Sequence, residues 1–313
     1  MKKKDIMLAL LVVIVWGANF TVIKLGLDGV PSMLLVSLRY LIVALPAVFF
    51  IKRPNLEWKY IVLYGLTVGV GQFSCLFYAM EMGMPASLAS IIVQLQAFIS
   101  PFFAWIFLKE KLKTKQIIGF LVAAVGLFVI GMASGTSGVT KIPIKVFILT
   151  IFAPIFWALS NIIVSFVSQK AIANGEKLDM LGLIVWSSLI PPLPVLVFAL
   201  MLDTPQTLIG AITNLNAISV FAILYLSFGA TLFGYGMWSQ LIAKHSIGEI
   251  APLSLLVPIT GLLTARIVLS EQLSKMQWLG VIIILIGLII TNLDPKVIIS
   301  FINKHRIKDV KNN

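Results

Sequence analysis

Arg39 lies inside an apolar stretch that runs from residue 31 to 51. A guanidinium at that depth costs about 2.5–3.5 kcal/mol to insert into a bilayer, so its presence asks for a reason. A planar cation with several N–H donors recognises a carboxylate and would anchor an amino-acid-like solute. The alternative is structural: the side chain ties to backbone carbonyls or reaches the outer interface, about two turns away. Arg266, close to the outer end of a later stretch, suits the interface role better. Further polar and aromatic side chains sit at similar depth: Asn19 behind Trp16, Asn161 behind Trp157, and Gln94, Gln96, Tyr78, Tyr235 and Trp238. Such groups are costly in lipid and usually line a cavity or are buried in protein. With Arg39 they form the candidate substrate-binding set. Gln94 and Gln96 are two apart and so point to different helix faces, which leaves one of them for interhelical bonding. Each aromatic has an equally simple role at a helix interface or in the headgroup belt.

The chemistry that is missing narrows the function. All twelve acids fall at the ends of apolar stretches or in loops, with Glu249 beside the inner start of one stretch. His245 and His305 lie outside the stretches and are expected to be solvated. No catalytic pair stands at membrane depth, so no residue is assigned as catalytic. No G-x-x-x-x-G-K-[ST] loop binds a nucleotide, and no His/Cys/Glu spacing suggests a metal, so no cofactor is expected. Proton relays in pumps use intramembrane acids or histidines; their absence favours a facilitator or exchanger driven by the gradient of its own solute. The single cysteine, Cys75, permits no internal disulfide and reads as a small buried residue.

These residues must be positioned by membrane helices. Hydrophobic residues make up 59% of the chain and charged ones 12%, against about 25% charge in a soluble domain, and the mean hydropathy is +1.04. Apolar runs long enough to cross a bilayer cover residues 6–23, 31–51, 58–80, 85–108, 116–133, 143–168, 180–202, 217–243, 250–269 and 276–293. The expected fold is an all-α polytopic membrane protein with ten transmembrane helices. Lysine and arginine gather at the start, in the second loop (Lys52, Arg53, Lys59), in the fourth (Lys109, Lys111, Lys113, Lys115) and in the tail. The opposite side has only Lys24, Lys141, Lys145 and Lys275. The positive-inside bias therefore puts both termini in the cytoplasm. It also accounts for the net charge of +12 through topology and attraction to anionic lipid, with no nucleic acid partner required.

One pattern occurs twice. Glu110, Leu112, Gln116, Gly119 and Gly126 repeat, with every spacing kept, as Glu271, Leu273, Gln277, Gly280 and Gly287. The copies fall before the fifth and the tenth run, which marks an internal duplication. Five spans per copy is an odd number, so the second copy must be inverted, a common secondary-transporter design with its site at the midplane. The expected division is 1–136, 137–294 and a basic cytoplasmic tail 295–313, with a flexible Ser134–Gly138 linker between the halves. Aligning Pro46 with Pro194 sets Ser187 opposite Arg39. Glu110 and Glu271 are expected to cap the helices that follow them or to lock their loops, and Gly119 and Gly280 belong to the same structural motif.

The duplicated E-x-L-x-x-x-Q-x-x-G pattern resembles the EamA family of the drug/metabolite transporter superfamily. The stretches 8–24 (LALLVVIVWGANFTVIK), 83–97 (GMPASLASIIVQLQA) and 251–261 (APLSLLVPITG) strengthen the likeness. The resemblance implies export of O-acetylserine, cysteine and related amino-acid metabolites across the bacterial cytoplasmic membrane. Aromatic or other amino acids, purines and drug-like compounds are alternative cargoes on the same fold. An intramembrane enzyme or a channel fits less well.

Overall fold

The computed structural model describes residues 3–135, 142–245 and 253–292, and among these every regular element is a helix. Among the described residues, seven helices are long and apolar enough to span a membrane: α1 (Lys3–Leu27), α3 (Trp58–Glu81), α4 (Ala86–Leu108), α5 (Thr114–Gly135), α6 (Ile144–Ala173), α10 (Ala217–Leu241) and α12 (Lys275–Asn292). Two shorter apolar helices, α2 (Ser32–Ala47) and α11 (Leu256–Val268), and a bent pair, α7 (Met180–Ser187) and α8 (Pro192–Leu202), complete the apolar set. A short amphipathic helix, α9 (Pro205–Thr213), follows the pair. Large apolar side chains such as Phe50, Phe128, Met201 and Ile267 are more than half exposed. A surface this apolar belongs against lipid tails, where helices satisfy their own backbone groups.

The 180–202 run is not the single straight helix expected from sequence. The chain turns through 40° between α7 and α8, where Pro191, Pro192 and Pro194 fall. Proline has no N–H to offer the ladder and its ring clashes with the preceding turn. Two other spans are distorted in the middle without breaking. Gly65–Gln72 in α3 and Tyr225–Phe233 in α10 are wound as π-helix. That geometry is uncommon and concentrates at functional sites.

The duplicated pattern resolves into three devices. Just before each glutamate the backbone enters the left-handed region, at Lys109 (φ 56°) and Ser270 (φ 53°). The amides of Glu110 and Glu271 then reach back to Ala104 O and Ala265 O, which closes the preceding helix as a left-handed cap does. The glutamine starts the next helix. Gln277 Oε1 accepts from the Ser274 amide at 2.9 Å while Ser274 Oγ accepts from the Gln277 amide at 3.2 Å, a capping box. Gln116 Oε1 likewise accepts from the Lys113 amide. The glycines bring α5 and α12 together antiparallel and reciprocally. A Cβ built on Gly126 would lie 2.7 Å from Gly280 O, and one on Gly280 would lie 2.7 Å from Gly126 O. Gly119 and Gly287 face each other in the same manner, with Thr291 alongside.

The expected cap by Glu271 is corrected by the structure. Its carboxylate does not cap α12 but crosses to the start of α4, accepting from the amides of Ala86 (2.7 Å) and Ser87 (2.9 Å) and from Ser87 Oγ (2.5 Å). A capping box fills that position at α12, and the first N–H groups of α4 have no carbonyl partner within their own helix. Glu81 treats α2 similarly, accepting from Ser32 N and Ser32 Oγ. Glu110 is exposed and accepts from Gln169 Nε2 at 3.3 Å. Of the expected Ser134–Gly138 linker, Ser134 and Gly135 end α5, while residues 136–138, Glu249 and the tail with His305 lie outside the described residues.

Candidate functional site

Arg39 is 2% exposed and lies in a narrow cavity between α2, α3, α7 and α10. Its Nη2 and Nε both donate to Thr231 Oγ1, at 3.0 and 3.3 Å. Thr231 in turn donates to Leu226 O, five residues back, as the π winding allows. The guanidinium stands over Phe73, 4.2 Å from its centroid, with Tyr40 at 5.8 Å. The remaining nitrogen, Nη1, is buried with no hydrogen-bond partner among the described residues. Among the described residues no acid lines this cavity. A buried cation held in place on two nitrogens, stacked on a ring, and presenting a third unpaired donor is arranged to receive an anion.

The cavity is small. About 20 Å³ is open to the centres of water molecules, enough for roughly one. One wall comes from the small-residue step of α3. Gly65 packs against Ser187 O and Ile190, and Gly69 against Pro191 and Tyr40. The break between α7 and α8 thus meets the π-helical stretch of α3, and Ser187 and Ser188 line the space beside Arg39. Ser187 is the residue that sequence alignment of the halves had set opposite Arg39.

Tyr235 lines the cavity and connects it to an aromatic group. Trp16 packs against Tyr235 at 5.3 Å and Trp238 at 5.2 Å, and its Nε1 donates to Ala230 O. Arg39 and Tyr235, which line the cavity, and Trp16 and Trp238, joined to Tyr235 through ring contacts, are therefore gathered. The amides are not. Asn161 Nδ2 donates to Gln96 Oε1 (2.7 Å) and to Ser100 Oγ (3.0 Å), joining α6 to α4 away from the cavity. Gln94 is buried in a tight turn, Val93–Leu95, inside α4. Tyr78 and Trp157 are half-buried against the apolar core and do not line the cavity. Asn19 is buried in α1 with its Oδ1 unpaired, as are Gln72 Oε1 and Ser74 Oγ.

Residues 3–132 and, separately, residues 144–293 match the EamA-like transporter family. The chain belongs to this family. As an EamA-like transporter it is a multi-pass membrane protein. It is 41% identical over 290 residues to a protein of Salmonella typhimurium named "Probable amino-acid metabolite efflux pump", covering 93% of this chain and 95% of that one. It is 39% identical, at the same coverage, to an Escherichia coli K12 protein of the same name. A protein of known crystal structure shares the fold with a TM-score of 0.60 at 14% identity, over 93% of this chain and 96% of that one.

Sequence reading of this EamA-like chain passed over Thr231, Phe73, Tyr40 and Ser188. Only the adjacency of Tyr40 to Arg39 offered a signal; the others arrive from distant spans. It also misjudged His245. The ring is half-buried, not solvated, and its Nε2 lies 3.0 Å from Asp5 Oδ2, tying the end of α10 to the start of α1. A second, larger cavity of about 370 Å³ opens between the start of α3 and the end of α6. There Lys170 Nζ meets Glu57 Oε1 at 2.6 Å, Lys59 Nζ meets Glu57 Oε2 at 2.7 Å, and Asn55 Nδ2 donates to Glu176. Hydrogen bonds from Lys170 and Lys59 hold the exposed Glu57 carboxyl down to about 2. Arg266 donates to Glu271 O near the end of α11, consistent with a role at a helix end.

Proposed function

We propose that this chain exports amino-acid metabolites by alternating access, with Arg39 as the anchor for the substrate carboxylate. The observation that carries the reading is the unpaired Nη1 of a buried arginine in a small cavity between helices of the two sequence copies. A lone buried cation is costly unless something pairs with it, and an α-carboxylate is the group that amino-acid metabolites share. The names of the Salmonella and Escherichia relatives support the substrate class. The finer expectation is O-acetylserine, cysteine and their neighbours; aromatic amino acids, purines and drug-like compounds are the competing cargoes.

In this reading the chain is two inverted five-helix repeats, 1–136 and 137–294, with ten spans, a cytoplasmic tail 295–313 and both termini inside a bacterial cytoplasmic membrane. Support comes from the two family matches, the reciprocal glycine contacts of α5 with α12, and the π-helical stretches in the third span of each copy. Inverted halves rocking about a midplane site supply outward and inward states of similar energy. Arg39 would sit where the halves part, and Trp16, Tyr235 and Trp238 would form the apolar wall.

The test is uptake of radiolabelled O-acetylserine and cysteine into proteoliposomes holding wild type, Arg39→Ala or Arg39→Lys, with each protein first shown to elute as a single folded species. Saturable uptake that is lost in Arg39→Ala supports the reading. Uptake unchanged in both variants makes Arg39 structural and moves the site to Asn19 and the aromatic group.

A further inference from the structure

We propose that Ser187 and Ser188, at the C-terminal end of α7, form the subsite for the ammonium group of an amino-acid cargo. This rests on the carboxylate-anchor reading of Arg39 and adds the other half of the recognition.

The direction of the hydrogen bonds leads to it. Ser187 and Ser188 are 3% and 1% exposed and line the cavity with Arg39. Both hydroxyls donate to the same carbonyl of their own helix, Ile184 O, at 3.1 and 2.6 Å. A hydroxyl has one proton to give, so each serine oxygen keeps only lone pairs for any further partner. Thr231 is committed on both counts: it donates to Leu226 O and accepts from Arg39. Arg39 makes no hydrogen bond to either serine, so the lone pairs of Ser187 and Ser188 remain for a guest. The hydroxyls of Tyr40, Tyr64 and Tyr235, which also line the cavity, can donate or accept and do not discriminate.

The backbone at the break between α7 and α8 adds acceptors of the same kind. A helical carbonyl accepts from the N–H four residues on. For Ser188 and Ile190 those residues are Pro192 and Pro194, which have no N–H. Ser188 O and Ile190 O accept no hydrogen bond among the described residues. Because α7 ends at Ser187, the negative end of its dipole lies there too. Two hydroxyl oxygens, one free carbonyl and that dipole end thus belong to two adjacent residues of the cavity wall. Such a wall suits an ammonium, which brings three N–H donors and no acceptor, and it does so without a carboxylate. Arg39 comes from the first sequence copy and the serines from the second. The space between is about 20 Å³, room for roughly one water, so a cargo reaches both groups as the copies part, and only a cargo carrying both charges links them.

The test compares cysteine with 3-mercaptopropionate, which is cysteine without its ammonium. The full-length protein is reconstituted in proteoliposomes under reducing conditions, and each compound is titrated as an inhibitor of labelled cysteine uptake. Hydrogen bonds to a charged group predict that wild type prefers cysteine by about tenfold to a hundredfold. The double variant Ser187→Ala/Ser188→Ala should lose most of that preference through weaker binding of cysteine, with inhibition by 3-mercaptopropionate unchanged. Ile184 O keeps the Ser188 amide as a donor at 3.1 Å, so these changes leave no helix carbonyl unpaired; should the double variant still fail to elute as a single folded species, Ser188→Ala is read in its place. Pro192→Ala, which offers Ser188 O an N–H, should weaken cysteine in the same sense. The proposal is overturned if 3-mercaptopropionate inhibits wild type as well as cysteine does, or if the full preference for cysteine survives the serine substitutions. If the preference survives but uptake is lost in Arg39→Ala, the carboxylate anchor stands and only the ammonium subsite fails. If wild type shows no saturable uptake of cysteine or O-acetylserine, both fall.

Discussion

Replacing Gly280 by alanine tests whether the duplicated pattern builds the contact between α5 and α12. A new Cβ would lie 2.7 Å from Gly126 O and 2.5 Å from Ile130 Cγ1. A close carbon–oxygen contact in proteins is about 3.3 Å, so the overlap with the carbonyl is about 0.6 Å. The obstacle is backbone on a second helix, which has no rotamer to change; the isoleucine could turn, but the carbonyl cannot. The helices must separate, and a gap of about 0.5–1 Å forfeits a quarter to a half of the dispersion energy of each facing atom pair. Overpacking of this kind costs about 1–3 kcal/mol. Because the contact is reciprocal, Gly126→Ala should cost a similar amount. Gly210→Ala, at a helical glycine with nothing within 4 Å of the added carbon, should be neutral or slightly stabilising through helix propensity, by up to about 1 kcal/mol. The assay is thermal unfolding of the purified protein in detergent, followed by tryptophan fluorescence and by loss of the monodisperse peak. The reasoning is refuted if Gly280→Ala melts with wild type, or if Gly280→Ala and Gly126→Ala differ widely.

Two further outcomes are expected. Thr231→Val keeps the shape of the side chain but removes the oxygen that accepts from Arg39 Nε and Nη2, so stability should fall by about 1.5–3 kcal/mol, as for a hydrogen bond to a charged group, whereas Thr231→Ser should melt close to wild type; equal loss in both would remove the hydroxyl from its role. The Glu57 carboxyl is held at about 2 against an ordinary value of 4.5; a depressed folded value means that its contribution is complete above about 4.5 and disappears as pH falls through about 2. The difference in melting temperature between wild type and Glu57→Gln should therefore shrink as pH falls through that window, and a difference independent of pH would exclude the ion pairs with Lys170 and Lys59 as its cause.

A small part of the site's membership, Arg39 and Tyr235, was legible because depth in a membrane can be counted. Arg39 stands out in an apolar run, and a charge there requires a partner or a purpose. Its surroundings were not legible. Thr231 lies 192 positions away along the chain, and it reaches the guanidinium from a stretch whose π winding leaves no distinctive residue pattern. Gln96 and Asn161 show the converse. Their depth marked them as polar groups needing partners, but depth does not say whether the partner is a solute or another amide, and here they satisfy each other.

Sequence by itself determined the class and the duplication. Composition demands lipid contact, and a five-residue pattern kept in register through two copies specifies where helices end, how the next one begins and where backbones can touch. Those are local properties: a left-handed turn before the glutamate, a glutamine that caps its own helix, glycines one heptad apart. Tertiary structure alone decided what each local device acts upon. Glu271 caps a helix nearly two hundred residues earlier in the chain because that helix presents unsatisfied N–H groups beside it. Gly126 pairs with Gly280, and Arg39 is left with one free nitrogen, because packing brings distant backbones and side chains to within bonding distance. Electrostatics and close packing depend on separation in space, and separation along the chain does not report it.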